Sequence, residues 1–224
     1  MWGAVSFLYS SPLIHNKGEG GKKRRIKSDV ENETKKKKTI ESAAHLAPGP
    51  DCCSWFTKLY EDNSAGLSKI EMYPNESCFQ EADFVSNSSN SVVEVVLAQP
   101  KNSSVLILSR SAIRACKLLK DMSWLQRPVY KLFPKNSKLD NQIEQLKSRP
   151  STLAVGTINR VLKLVEKEAL ENCMESSDAI IIIDLNADVK SFNILSLNEV
   201  KEDLFKFIRE QWLPRTSRPK ICFM

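Results

Sequence analysis

The sequence predicts an α/β fold, a doubly wound and mostly parallel sheet, and three observations predict it. Short apolar runs recur at 105–108, 129–133, 152–155, 179–183 and 220–223. The run at 179–183 is apolar at every position, as in strands covered by helices on both faces. The stretches between the runs show helical spacing and are long enough for right-handed crossovers. In such sheets a ligand meets the carboxyl ends of the strands.

Taken in order, the folded part begins with a helix near residue 52, where Trp55, Phe56, Leu59 and Tyr60 repeat at helical spacing. Tyr73-Pro74-Asn75 reads as a turn. Stretches 77–84 and 92–98 are helical or mixed, and periodicity does not decide between them. After the 105–108 strand, a helix over 112–121 turns Ala112, Cys116 and Leu119 inward, with Ile113 beside them. The 129–133 strand leads to a helix over 139–147 that buries Leu139, Ile143 and Leu146. The 152–155 strand feeds a helix over 158–170 that buries Val161, Leu164 and Val165. A last helix over 197–212 offers Val200, Leu204, Phe207, Ile208 and Trp212 to the core. The run at 220–223 is the fifth strand.

Charge divides the chain of 224 residues. Residues 1–50 hold ten Lys/Arg against five Asp/Glu, and residues 51–224 hold 23 against 22. The basic tail carries two blocks, Lys22-Lys23-Arg24-Arg25 and Lys35-Lys36-Lys37-Lys38, of the kind that act in nuclear targeting or bind phosphates. Ala47-Pro48-Gly49-Pro50 closes it. The expectation is a disordered lysine-rich tail over 1–50 and one domain over 51–224. The apolar start lacks a preceding basic residue and is broken by Ser10, Ser11 and Pro12, so it does not read as a secretory signal. No run approaches the roughly 18 apolar residues of a membrane span. The six cysteines form no C-x-x-C pair, and both histidines lie in the tail, which argues against a metal site. Cys116 and Cys222 read as buried thiols of a reducing compartment.

The predicted strand ends carry Ser109-Arg110-Ser111, Gly156-Thr157 and Asp184-Leu185-Asn186. Gly156 is the only glycine after Leu67. Followed by Thr157 and a helix with Arg160 in its first turn, it either lets a backbone approach a phosphate or simply satisfies a turn. Asp184 reads as a turn cap, and Tyr130 and Trp124 read as core aromatics rather than base-stacking platforms.

These junctions resemble the first RecA-like domain of DEAD-box RNA helicases. Ser109-Arg110-Ser111-Ala112-Ile113-Arg114-Ala115 is similar to P-T-R-E-L-A, Val155-Gly156-Thr157-Ile158-Asn159-Arg160 to V-G-T-P-G-R, and Asp184-Leu185-Asn186-Ala187 to D-E-A-D. The departures imply lost catalysis. No glycine and no G-K-[ST] lies between Leu67 and Lys101, and Leu185 replaces the second carboxylate. The chain is similar to the Cms-type small-ribosomal-subunit proteins, nucleolar and DEAD-like, with a lysine-rich tail and one degenerate RecA-like domain. Pro74-Asn75-Glu76-Ser77-Cys78-Phe79 resembles that family's P-x-S-C-F element, and Lys131-Leu132-Phe133 its K-L-F strand. The resemblance implies a non-catalytic, RNA-associated pseudo-helicase of small-subunit biogenesis in the nucleus and nucleolus, with no cofactor. Its partners would be ribosomal precursor RNA and ribosome-assembly proteins. Arg110, Ser111, Gly156, Thr157 and Arg160 would touch RNA sugar and phosphate groups. The alternative is a protein-interaction scaffold whose folded domain binds no RNA.

Overall fold

A computed structural model describes residues 51–85, 91–149, 152–176 and 178–224. Both basic blocks and the apolar start lie outside the described residues. Five strands, β1 (Val105–Ser109), β2 (Tyr130–Leu132), β3 (Leu153–Thr157), β4 (Ile180–Ile183) and β5 (Lys220–Phe223), form one sheet in the order β2-β3-β1-β4-β5. All neighbours pair in parallel, as predicted. The helices are α1 (Cys52–Asn63), α2 (Lys69–Met72), α3 (Val92–Ala98), α4 (Ala112–Asp121), α5 (Leu139–Ser148), α6 (Ile158–Val165), α7 (Glu171–Met174) and α8 (Asn198–Phe207).

Successive strand side chains point to opposite faces, and each set finds its own helical layer. Leu106, Leu108, Ile181, Ile183, Ile221 and Phe223 join a cluster with Phe56 of α1, Val161 of α6 and Leu204 of α8. Val105, Ile107, Ile180, Ile182 and Cys222 join another with Val95 of α3 and Leu118 of α4. Two-sided burial is why these strands are apolar throughout. At one edge, the Val85 N–H donates to the Ile221 carbonyl (2.8 Å), so the segment before it covers β5. That segment holds 3₁₀ turns at Pro74–Glu76 and Glu81–Asp83, which resolves the 77–84 stretch that periodicity left open.

Three expectations need correction. α4 buries Ala115 and Leu118, with Met122 beyond its end, while Ile113 is 83% exposed and Cys116 is exposed. The helix is turned about one residue from its apparent apolar stripe, with Ala112 and Leu119 packed only at the margin of the core. Trp124 is 61% exposed, its indole N–H satisfied by the Asp121 carbonyl (2.9 Å). The helix after β3 stops at Val165: Ala169 N–H donates to Leu164 O (2.9 Å) and Glu168 N–H to Val165 O (2.8 Å), with Glu168 at φ 55. This is a Schellman ending with glutamate where glycine usually stands, so no glycine signalled it. The last helix spans 198–212 much as expected, α8 passing into a π-helical turn, Ile208–Trp212; it buries Leu204, Phe205, Phe207, Ile208 and Trp212, while Val200 is only partly buried.

Cys222 is buried, and desolvation pushes its thiol up to about 11. Among the described residues no helix is long and apolar enough to cross a membrane.

Candidate nucleic-acid interface

β1 lies between β3 and β4, and its last residue, Ser109, pairs in register with Thr157. The segments after these three strands therefore gather at one carboxyl edge. The Ser109 hydroxyl, buried, stands 3.2 Å from the Ser111 carbonyl and 3.3 Å from that of Gly156, a donor to one at a time. It ties the two junctions together. Ser111 caps α4, its hydroxyl accepting the Arg114 N–H at 3.2 Å. Thr157 begins α6 without a side-chain cap bond.

The arginines at this edge are already paired. Arg114 donates twice to Asp184, Nε to Oδ2 at 2.6 Å and Nη2 to Oδ1 at 2.9 Å, and the Asp184 side chain is 1% exposed. This hydrogen-bonded pair raises the Arg114 guanidinium above its ordinary value. Asp184 thus anchors α4 to the end of β4 and does not act as a turn cap. Arg110 Nη1 lies 3.0 Å from Asp188 Oδ2, and Arg110 Nε is buried without a partner among the described residues. The other oxygen of Asp188 accepts the N–H groups of Lys190 (2.8 Å) and Phe192 (3.0 Å). The Phe192 bond leads in holding this carboxyl below its usual range, with Lys190 and Arg110 adding to it.

Of the residues expected to meet RNA, the fold brings Arg110, Ser111 and Thr157 to this edge. Gly156 lies beneath it. A Cβ there would stand 2.7 Å from Leu132 Cβ, 2.8 Å from Leu132 O and 2.8 Å from Val161 Cγ2. The close approach of β2 and α6 therefore requires this glycine. Arg160 points inward: it is 9% exposed and donates from Nη1 to Gln142 Oε1 at 3.1 Å. Gln142 in turn donates from Nε2 to the Lys131 carbonyl at 2.9 Å. The Arg114–Asp184 pair went unread in the sequence. The signal for it was an arginine one turn into the helix after β1 and an aspartate just past the neighbouring β4. Among the described residues no three His, Cys, Asp or Glu side chains gather as a metal cage.

A family model described as "U3-containing 90S pre-ribosomal complex subunit" matches residues 74–222. The chain is 25% identical over 204 residues to "Protein CMSS1" of Homo sapiens, covering 84% of this chain and 72% of that protein. It is 28% identical over 181 residues to "Protein CMSS1" of Danio rerio, covering 75% and 61%. It is 33% identical over 116 residues to "Protein CMS1" of Chaetomium thermophilum, covering 50% of this chain and 45% of that one.

Proposed function

The chain belongs to the CMS1 family of U3-containing 90S pre-ribosomal complex subunits, and from that membership we propose a non-catalytic, RNA-associated factor of small ribosomal subunit biogenesis. A role in ribosome biogenesis and association with assembly factors follow from the family. The pseudo-helicase character, the RNA contact and the nucleolar address are our reading.

The observation that supports an RNA contact is the register of Ser109 with Thr157. It sets the hydroxyls of Ser111 and Thr157 and the Arg110 guanidinium on neighbouring strand ends. Hydroxyls and main-chain N–H groups of this kind hold sugar and phosphate without reading bases. Gly156 keeps β3 close to β2 beneath them, and Arg160 acts from inside. The missing G-K-[ST] run and Leu185 after Asp184 support the loss of ATP chemistry. The lysine blocks at Lys22 to Arg25 and Lys35 to Lys38 would carry the chain to the nucleolus and add salt-sensitive affinity.

A second reading, a protein scaffold, draws on one observation. Arg110 and Arg114 each sit in an ion pair, so a phosphate must compete with carboxylates already in place. Ultraviolet cross-linking of the tagged full chain in cells separates the two. Recovery of precursor ribosomal RNA, weakened by Arg110→Ala with Thr157→Val, supports the first; cosedimentation with pre-ribosomal particles without any RNA cross-link supports the second. Magnesium-ATP is expected to leave the melting temperature unchanged, and an upward shift would defeat the non-catalytic reading.

A further inference from the structure

Resting on the reading of an RNA-associated factor, we propose that the cleft on the outer side of β2 is the main RNA-binding surface of the folded domain, a seat for single-stranded RNA. β2 ends the sheet on this side, and α5 runs beside it. Between them lies a cleft of ≈ 420 Å³ whose wall includes Tyr130, Lys131, Asn136, Gln145, Arg149 and Thr152. That volume falls within the range of small-ligand sites. Among the described residues, two cations and no carboxylate line it.

The charge is local. Residues 127–149 hold Arg127, Lys131, Lys135, Lys138, Lys147 and Arg149 against Asp140 and Glu144, a net of +4. Residues 51–224 as a whole net only +1, so the remainder of the folded part is acidic. Placement sorts these charges further. Gln145 of α5 and Arg149, which caps its end, line the cleft, while Asp140 and Glu144, both within α5, do not. Among the described residues, Lys131, Lys135, Lys138, Lys147 and Arg149 take part in no ion pair.

The remaining chemistry of the cleft favours a nucleotide chain over an acidic protein segment. Tyr130 packs against the core as expected, but only half-buried, and its hydroxyl donates to the Arg149 carbonyl at 2.9 Å, which fixes the ring before anything binds. A fixed aromatic ring beside Lys131 and Arg149 offers its exposed part for base stacking. The Gln145 side-chain amide is exposed and has no partner among the described residues, so it can meet a base edge. The large exposed apolar side chains, Ile70, Leu97, Ile113, Trp124 and Val189, all lie outside the cleft; a protein dock would need such anchors. The β2 backbone at Lys131 is held from behind by Arg160 through Gln142. Arg160 is therefore a positioning residue here.

The test uses the full chain and labelled oligouridine, read by fluorescence anisotropy across a salt series. Replacing both Lys131 and Arg149 by Ala removes two phosphate partners. The log–log salt slope is then expected to fall by about 1.4, at about 0.7 per contact on single strands, and affinity at low salt by about tenfold. Oligouridine carrying 4-thiouridine should cross-link to the peptide containing Tyr130. If the wild-type chain binds and the double variant keeps both slope and affinity, the cleft proposal falls while RNA association stands. If the wild-type chain binds no RNA, the functional reading beneath it falls as well. If the double variant loses an acidic peptide yet keeps oligouridine, the cleft is a protein dock and the proposal is overturned.

Discussion

The carboxyl edge of the sheet and the outer flank of β2 both present basic side chains, yet those side chains are in opposite electrical states. At the edge, Arg110 and Arg114 are bound to Asp188 and Asp184, the latter buried. On the flank, Lys131 and Arg149 stand exposed beside an open cleft with no carboxylate in its wall among the described residues. A paired arginine must give up its carboxylate before it can neutralise a phosphate, and a buried carboxylate left alone is costly. An unpaired lysine only releases counterions. Residue type therefore says less about a polyanion site than whether the cation is already spent within the fold. The edge carries the helicase-like motif residues and rigid geometry, and the flank carries the available charge.

The largest effect should come from breaking an edge pair. Arg114→Met leaves Asp184 buried and alone and is expected to cost about 3 kcal/mol by urea denaturation. A loss below about 1 kcal/mol would mean that the edge arginine is freer than its geometry implies. Gly156→Ala, which drives a Cβ against β2 and α6, should cost about 2 kcal/mol. An unchanged urea midpoint would show that the edge and the flank are not locked together by that contact.

Arg160→Met strands the Gln142 amide oxygen and should cost about 1.5 kcal/mol. It should also weaken RNA binding through the displaced Lys131 strand; a stability loss with unaltered RNA affinity would separate the two regions.

A partly exposed pair tests the middle of the scale. Arg215 meets Glu171 through two bonds (2.8 and 3.1 Å), and that pairing holds the Glu171 carboxyl below its ordinary value of 4.5. A depressed folded pKa gives stability above the unfolded value and loses it as pH falls through the folded one. Arg215→Ala should therefore cost under about 1 kcal/mol at neutral pH, with the difference from wild type shrinking below about pH 4. A difference that grows on acidification would reverse the assignment. Smallest of all, Lys131→Ala with Arg149→Ala should move stability by no more than about 0.5 kcal/mol, since neither makes an ion pair. A larger loss would show that the flank cations serve the fold.

Much of this was legible in the amino-acid order. The parallel α/β sheet, its five strands and the convergence of residues 109–111, 156–157 and 184 at one end follow from apolar runs and crossover lengths, which are local or nearly local quantities. Gly156 was visible as a singular residue, but two uses for it were open, because its neighbours Leu132 and Val161 meet it only after the chain crosses over. In α4 apolar spacing points to Cys116, while the strands that bury Ala115 and Leu118, and the Asp184 that pairs with Arg114 from 70 residues away, meet the helix only in the fold.

The sequence by itself determined the layers, the strand ends and the family, since burial pattern and motif spacing are written along the chain. Only the tertiary structure decided which cations remain free. Arg160 lies inside, Arg110 and Arg114 are paired, and Lys131 and Arg149 border one cleft. That depends on distances between residues far apart in the chain, and charge–charge energy falls with distance in space rather than with separation in sequence.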